Sequence, residues 1–178
     1  MKIRQVERED IPALVEIYRY YVENTDITFE YVPPSQEEFT RRVQEITARY
    51  PYLVAEEEGE ILGYAYGAAF KGRAAYDWSV ETTVYVNWEK RGRGVGTRLY
   101  RELERELREQ NIQNANACIT YPNQGSMSFH EKEGYRLAAH FEKCGYKLGR
   151  WLDMIWMEKL IGSHPEDPGK VLWKNRRF

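Results

Sequence analysis

The chain has 178 residues, enough for one domain with a sizeable core, and its 42% hydrophobic and 30% charged residues belong to a folded globular protein rather than a disordered one. With 26 basic residues against 28 acidic ones the net charge is -2, which excludes a global basic field for nucleic acid or an anionic membrane and makes any anion site local. Cys118 and Cys144 have neither a metal-ligand spacing nor the density of a disulfide framework, the start Met1-Lys2-Ile3-Arg4 lacks the apolar core of a signal peptide, and no apolar run approaches the roughly 20 residues that span a bilayer, so a reducing cytoplasm is expected.

Lys2 to Val6 reads as a short strand, and Asp10 stands as N-cap of a helix whose Ile11, Leu14, Tyr18, Tyr21 and Val22 recur at helical spacing. A loop with Phe29 and the pair Pro33-Pro34 leads to Ser35 and Glu38, the spacing of a capping box, and to a second helix with Phe39, Val43 and Ile46 on one face. Tyr52 to Glu56 and Ile61 to Ala68 read as strands joined by the hairpin turn Glu57-Glu58-Gly59-Glu60, and Asp77 to Val86 as a third long strand. Gly94 to Gln110 is an amphipathic helix with Val95, Leu99, Leu103 and Leu107 on one side. A strand over Ala115 to Thr120, a short helix over Ser126 to Lys132, and a strand pair over Arg136 to Phe141 and Leu152 to Lys159 complete a domain over residues 1–161. Gly162 to Phe178, with Pro165, Pro168, Gly169 and the basic run from Lys174 to Arg177, reads as a loosely packed tail that Trp173 or Phe178 would dock.

The most informative stretch is Thr83-Val84-Tyr85-Val86, then Arg91-Gly92-Arg93-Gly94-Val95-Gly96-Thr97, then the long helix: strand, glycine-rich turn, helix. A helix start presents unpaired amides and the positive end of a dipole, glycines let a pyrophosphate reach that backbone, and Arg91 and Arg93 add positive charge. No Gly-Lys-Ser/Thr follows, so this is not a Walker loop, and the glycine spacing is not the dinucleotide fingerprint. Taken alone, Arg91 to Gly96 also reads as a solvated basic turn capping a helix.

Arg91-x-x-Gly94-x-Gly96 resembles the acetyl-coenzyme A signature of the GNAT superfamily of N-acetyltransferases. A second block follows in the right order: Asn123, Ser126 and Phe129-His130-Glu131-Lys132-Glu133-Gly134-Tyr135 resemble that superfamily's later motif. The segments Ala74 to Val86 and Gly145 to Asp153 are similar to phosphinothricin acetyltransferases and to the enzymes that acetylate methionine sulfone and sulfoximine. Over roughly residues 2–160 the resemblance implies an α/β (α+β) fold, a mixed and mainly antiparallel sheet with splayed central strands flanked by helices. It also implies acetyl-coenzyme A as co-substrate, amides of the glycine-rich loop on its pyrophosphate, and a homodimer.

Acetyl transfer from a thioester needs an unprotonated amine, a site for the oxyanion, and a proton for the departing thiolate. Glu81, in the strand before the glycine-rich turn, is read as general base, the role of the matching glutamate in the resembling enzymes; the alternative is a salt-bridged strand carboxylate. Backbone amides over Val84 to Val86 are read as meeting the oxyanion and the amide-rich pantetheine arm. The resemblance makes His130 the acid for the thiolate, against a purely structural histidine, and sets Asn123 on the pantetheine, against a loop cap. Ser126 is either a cofactor contact or an N-cap.

For the acceptor, Arg73 suits a carboxylate, with plain solvent exposure as the alternative. Phe29, Tyr76, Trp78 and Trp151 are read as pocket walls or as core. Lys147 and Arg150 face either the pocket mouth or a dimer partner. Glu30 stands where herbicide-detoxifying members tend to have a basic residue, which disfavours a phosphinate and favours a neutral side chain. The expected reaction is direct transfer to the primary amine of a small amino-acid-like molecule. A polyamine, a protein N-terminus, or a non-catalytic acetyl-coenzyme A sensor are the alternatives.

Overall fold

The computed structural model describes residues 1–174 and 178. Its elements run β1 (Lys2–Gln5), α1 (Ile11–Asn24), α2 (Gln36–Thr47), β2 (Tyr52–Glu57), β3 (Glu60–Ala69), β4 (Ser79–Val86), α3 (Val95–Glu109), β5 (Asn114–Tyr121), α4 (Gln124–Lys132), β6 (Arg136–Lys147) and β7 (Arg150–Leu160). The strands form one sheet in the order β1-β2-β3-β4-β5-β7-β6, antiparallel throughout except where β4 meets β5. The expected mixed, mainly antiparallel sheet flanked by helices is borne out.

Alternation along each strand sorts the side chains into two cores. On one face Val80 and Ala115 pack beneath α3, whose Leu99, Leu103 and Leu107 are fully buried; each leucine so buried stabilises the fold by about 1.5–3 kcal/mol. On the other face Tyr52, Val54 and Tyr64 pack beneath α1 and α2 through Leu14, Phe39 and Val43. The β2–β3 hairpin turns through Glu58 and Gly59 at φ 53° and 81°, the left-handed pair that matches strand twist in a two-residue turn.

Several local expectations are corrected. Asp10 stands at the N-cap position of α1 as expected, but its carboxylate makes no cap bond to that helix: it takes both Nη atoms of Arg4, at 2.7 and 2.8 Å, and the Glu7 amide at 2.8 Å. Ser35 caps α2 by accepting from the Glu38 amide at 3.1 Å, but Glu38 does not reach back, because Arg41 and Arg42 hold its carboxylate. β4 starts at Ser79, after a 3-10 turn over Ala74–Tyr76. β6 and β7 run to Lys147 and from Arg150 across a tight turn with Leu148 and Gly149 at φ 51° and 75°. β6 is an edge strand exposed along most of its length, so no alternation marks its true extent.

The described part of the tail is largely exposed but is tied to the domain at several points. The Leu172 amide donates to the Gln110 carbonyl at 2.9 Å, Trp78 Nε1 donates to the Gly169 carbonyl at 3.1 Å, and Trp173 packs edge-on against Tyr50. Of the basic run, Lys174 pairs with Glu109 at 2.9 Å; residues 175–177 lie outside the described residues. Among the described residues no helix is long and apolar enough to cross a membrane.

Candidate active site

β4 and β5 are in register only over Ser79–Glu81 against Asn114–Asn116. β3 stays paired with β4 as far as Val86, and β7 with β5 as far as Tyr121, so beyond Glu81 the two central strands part while each keeps its outer neighbour. Side chains hold the point of divergence: Thr82 Oγ1 donates to the Asn116 carbonyl at 3.2 Å, and Asn116 Nδ2 donates to that of Val80 at 3.1 Å. Past this point β4 has no strand partner on its β5 side, which leaves backbone amides for a bound molecule.

A cavity of about 300 Å³ occupies the divergence. Glu81, Thr82, Thr83 and Val84 all line it, and since successive residues of a strand point to opposite faces, the cavity reaches through the sheet. Burial raises the Glu81 carboxyl above the usual glutamate range, with the nearby Lys71 charge opposing the shift. Cys118, an exposed residue of β5, lines the same space, where partial desolvation together with the Glu81 charge pushes its thiol up to about 12 and disfavours the thiolate.

At the other end lie Asn123, Ser126 and His130. Asn123 caps α4, its Oδ1 accepting from the Ser126 amide at 3.1 Å. His130 is buried; its Nδ1 lies 2.8 Å from the Ser126 carbonyl, which only accepts, so Nδ1 carries the proton. Nε2 is then the acceptor and takes the Tyr100 hydroxyl at 3.0 Å. Burial lowers the imidazole below its ordinary value, which keeps it neutral. Tyr100 is likewise raised by burial and stays a phenol.

The glycine-rich turn leads from β4 into α3. Gly92 and Gly94 have φ of 77° and 76°, a conformation that a side chain disfavours by about 1–2 kcal/mol. No side chain caps α3, and a β-carbon at either glycine would meet nothing within 4 Å, so the helix amides face open space. Gly96 packs closely: an added β-carbon would sit 3.3 Å from the Phe129 ring. Val95 is buried and Thr97 stands in the first turn. Arg93 is paired with Glu57 at 2.7 Å and Arg91 stacks over Trp88, so part of the expected positive charge is already engaged. The Val86 carbonyl accepts the Tyr21 hydroxyl at 2.6 Å, and the Tyr85 ring packs among Tyr18, Tyr21 and Tyr64. An uncapped helix start after left-handed glycines fits a pyrophosphate.

Residues 3–156 match the model of the acetyltransferase (GNAT) domain. The chain belongs to the GNAT family. It is 36% identical to a phosphinothricin N-acetyltransferase of Streptomyces viridochromogenes, over 94% of this chain and 92% of the relative. It is 32% identical to an L-methionine sulfoximine/L-methionine sulfone acetyltransferase of Pseudomonas aeruginosa, over 88% of this chain and 92% of the relative. A crystal structure of a GNAT superfamily phosphinothricin acetyltransferase from Sinorhizobium meliloti in complex with acetyl-coenzyme A superposes with a TM-score of 0.89 at 35% identity, covering 93% of each chain. The chain is thus an acetyl-coenzyme A-dependent N-acetyltransferase, as its two ordered motifs imply.

In this acetyltransferase the cavity gathers Phe29, Glu81, Val84, Tyr85, Asn123, Ser126 and His130. Four of the residues read as acceptor contacts do not line it. Arg73 is exposed before the 3-10 turn, Tyr76 packs on Phe70, Trp78 turns to the tail, and Trp151 lies on Tyr146 at the hairpin surface. Glu30 does not line this cavity, and Arg42 pairs with it at 2.6 Å. Lys147 is buried rather than at the mouth: Nζ donates to the carbonyls of Val22 and Thr28 at 2.8 Å each, while Arg150 pairs with Asp26. Together they fasten the Phe29 loop to the β6–β7 hairpin.

Sequence reasoning missed Tyr66, Tyr100, Cys118, Thr120 and Met154, all of which line the cavity. Tyr100 adjoins Leu99 on the buried side of α3, and only its polar tip one helix away from a motif histidine hinted at a site.

Proposed function

We propose that the enzyme acetylates the primary amine of a small amino-acid-like acceptor, of the phosphinothricin or methionine sulfone and sulfoximine type, by direct attack within a ternary complex. The observation that carries this reading is the carboxylate of Glu81, part-buried and raised in pKa, at the divergence of β4 and β5. A carboxylate so placed accepts a proton from an ammonium group, directly or through water, more readily than an exposed one. The names of the relatives at 36% and 32% identity support the acceptor class.

The remaining roles follow from the chemistry of the groups. Unpaired amides of β4 over Val84 to Val86 meet the oxyanion, and those of Gly92 to Thr97 hold the pyrophosphate. As the thiolate departs, the Tyr100 hydroxyl turns its one proton from Nε2 of neutral His130 to the sulfur; a thiol pKa near 8.5 makes that group a fair leaving group without a strong acid. Asn123 and Ser126 contact the pantetheine arm. Arg73, outside the cavity lining, is the proposed contact for the acceptor carboxylate. The Cys118 thiol, pushed up to about 12, argues against an acetyl-cysteine intermediate. We place the working form as a homodimer joined along the exposed β6–β7 hairpin, where Leu137, Phe141, Leu148 and Trp151 present apolar surface, in a reducing cytoplasm that suits two unpaired cysteines.

The test is thiol release from acetyl-coenzyme A against free amino acids, methionine sulfone, methionine sulfoximine, phosphinothricin, polyamines and short peptides. Release with an amino acid and not with a polyamine or peptide supports the reading. Release with none of the amino acids sinks it. Label exchange between acetyl-coenzyme A and free coenzyme A without an acceptor would replace direct attack by an acyl-enzyme.

A further inference from the structure

A second cavity, of about 270 Å³, lies between α2 and the sheet, beside the first. Tyr66 lines both cavities. Ala68, which also lines the second, is the cross-strand partner of Glu81, and directly opposed residues hold their β-carbons about 5 Å apart on one face. A molecule with its amine at Glu81 therefore has this cavity within reach along β3.

The floor is a tyrosine row. The Tyr52 ring stacks on those of Tyr66 and Tyr64 at 4.8 and 5.7 Å, in both cases within 18° of parallel. Side chains on one sheet face stand off it together, so the phenol ends project toward α2. Tyr52 and Tyr64 are each only 1% exposed, and among the described residues no protein group hydrogen-bonds either hydroxyl. Their neighbours differ: the Tyr18 hydroxyl pairs with Thr28 Oγ1 at 2.8 Å, and that of Tyr21 with the Val86 carbonyl. Among the described residues the fully enclosed unpartnered side-chain atoms are Gln5 Oε1 and Gln110 Oε1, so the two phenol oxygens are not sealed in but open onto the cavity as uncommitted donors. Arg42, the cation at this cavity, is engaged by Glu30 at 2.6 Å and Glu38 at 2.9 Å, so the wall favours a neutral acceptor group over an anion.

The geometry points to this cavity as the subsite for the acceptor's side chain, with the Tyr52 and Tyr64 hydroxyls donating to a neutral, hydrogen-bond-accepting terminus such as the paired oxygens of a sulfone. The inference rests on the reading that Glu81 receives the acceptor's amine.

Thiol-release kinetics of wild type, Tyr52→Phe, Tyr64→Phe and the double variant test it, with methionine sulfone against methionine, which lacks the oxygens. The double variant is expected to lose about ten-fold or more in kcat/KM for the sulfone and less than about two-fold for methionine, each hydroxyl contributing one hydrogen bond. Its thermal midpoint is expected not to fall, because no bond within the protein is lost. Equal effects on the two acceptors, or none, overturn the subsite while leaving the proposed function in place. A lowered midpoint assigns the hydroxyls to the fold and overturns it as well. A wild-type enzyme that acetylates neither acceptor removes the amino-acid reading and the subsite with it.

Discussion

The Tyr100 hydroxyl donates to Nε2 of His130 across 3.0 Å, and the opposite ring nitrogen is committed to the Ser126 carbonyl. The histidine is therefore held neutral, with no proton facing the cavity. Because burial lowers its folded pKa below the unfolded value, the unfolded chain binds a proton first as pH falls. Stability is fully present above the unfolded pKa of about 6.5 and declines below it. Thermal melts between about pH 5 and 7.5 should show a shallower acid decline for His130→Phe than for wild type. Parallel curves would remove His130 as a buried neutral group.

Glu81→Gln should lower kcat/KM by about 10²–10⁴-fold and leave acetyl-coenzyme A affinity unchanged, since the carboxylate is proposed to act on the acceptor's amine. The working form is the carboxylate, so the wild-type rate rises with pH through the Glu81 pKa, and burial sets that limb above the ordinary glutamate range. A pH profile of kcat/KM checks this: the limb should vanish in the variant. The same burial disfavours the charge in the folded state, so the variant should melt no lower than wild type at neutral pH, loss of activity without loss of stability.

Gly94→Ala puts a side chain at φ 76° on the residue before α3. The turn must strain or shift at a cost of about 1–2 kcal/mol, which is roughly ten-fold in an equilibrium constant. The expected outcome is an acetyl-coenzyme A KM raised about ten-fold with acceptor KM little changed, measured by varying each substrate in turn. An effect confined to the acceptor would place the pyrophosphate elsewhere.

Lys147→Met keeps the stem and removes the ammonium that bridges the Val22 and Thr28 carbonyls. Each carbonyl left unpaired costs about 1–3 kcal/mol, so the melting temperature should fall by several degrees. The loop carrying Phe29 would lose its tie to the hairpin, and acceptor KM should rise more than acetyl-coenzyme A KM. A variant with altered stability and unchanged acceptor KM would confine Lys147 to the fold.

How far the sequence reached depended on the kind of pattern involved. Helix α3 was legible because Leu99, Leu103 and Leu107 repeat at i, i+4, and the coenzyme end because left-handed glycines and helix starts leave marks in consecutive residues. The acceptor end is assembled from β3, β4, β5, β7 and the Phe29 loop, so Tyr66, Cys118 and Met154 meet only through strand register, which no local window contains. Lys147 reads as a surface lysine until its ammonium is seen on two carbonyls. The tail's points of attachment are illegible for a related reason. Its proline-rich composition resembles a solvated segment, whereas backbone bonds to Gln110 and the Trp78 indole hold it in place.

Gly145 runs along β6 against the ring of Phe29, so closely that a β-carbon there would overlap the aromatic carbons. That wall of the acceptor cavity can be reshaped from one side only. Directed changes of acceptor scope should begin at position 29, where a smaller residue widens the space, and libraries that randomise position 145 will mostly return proteins whose loop has been pushed out of place.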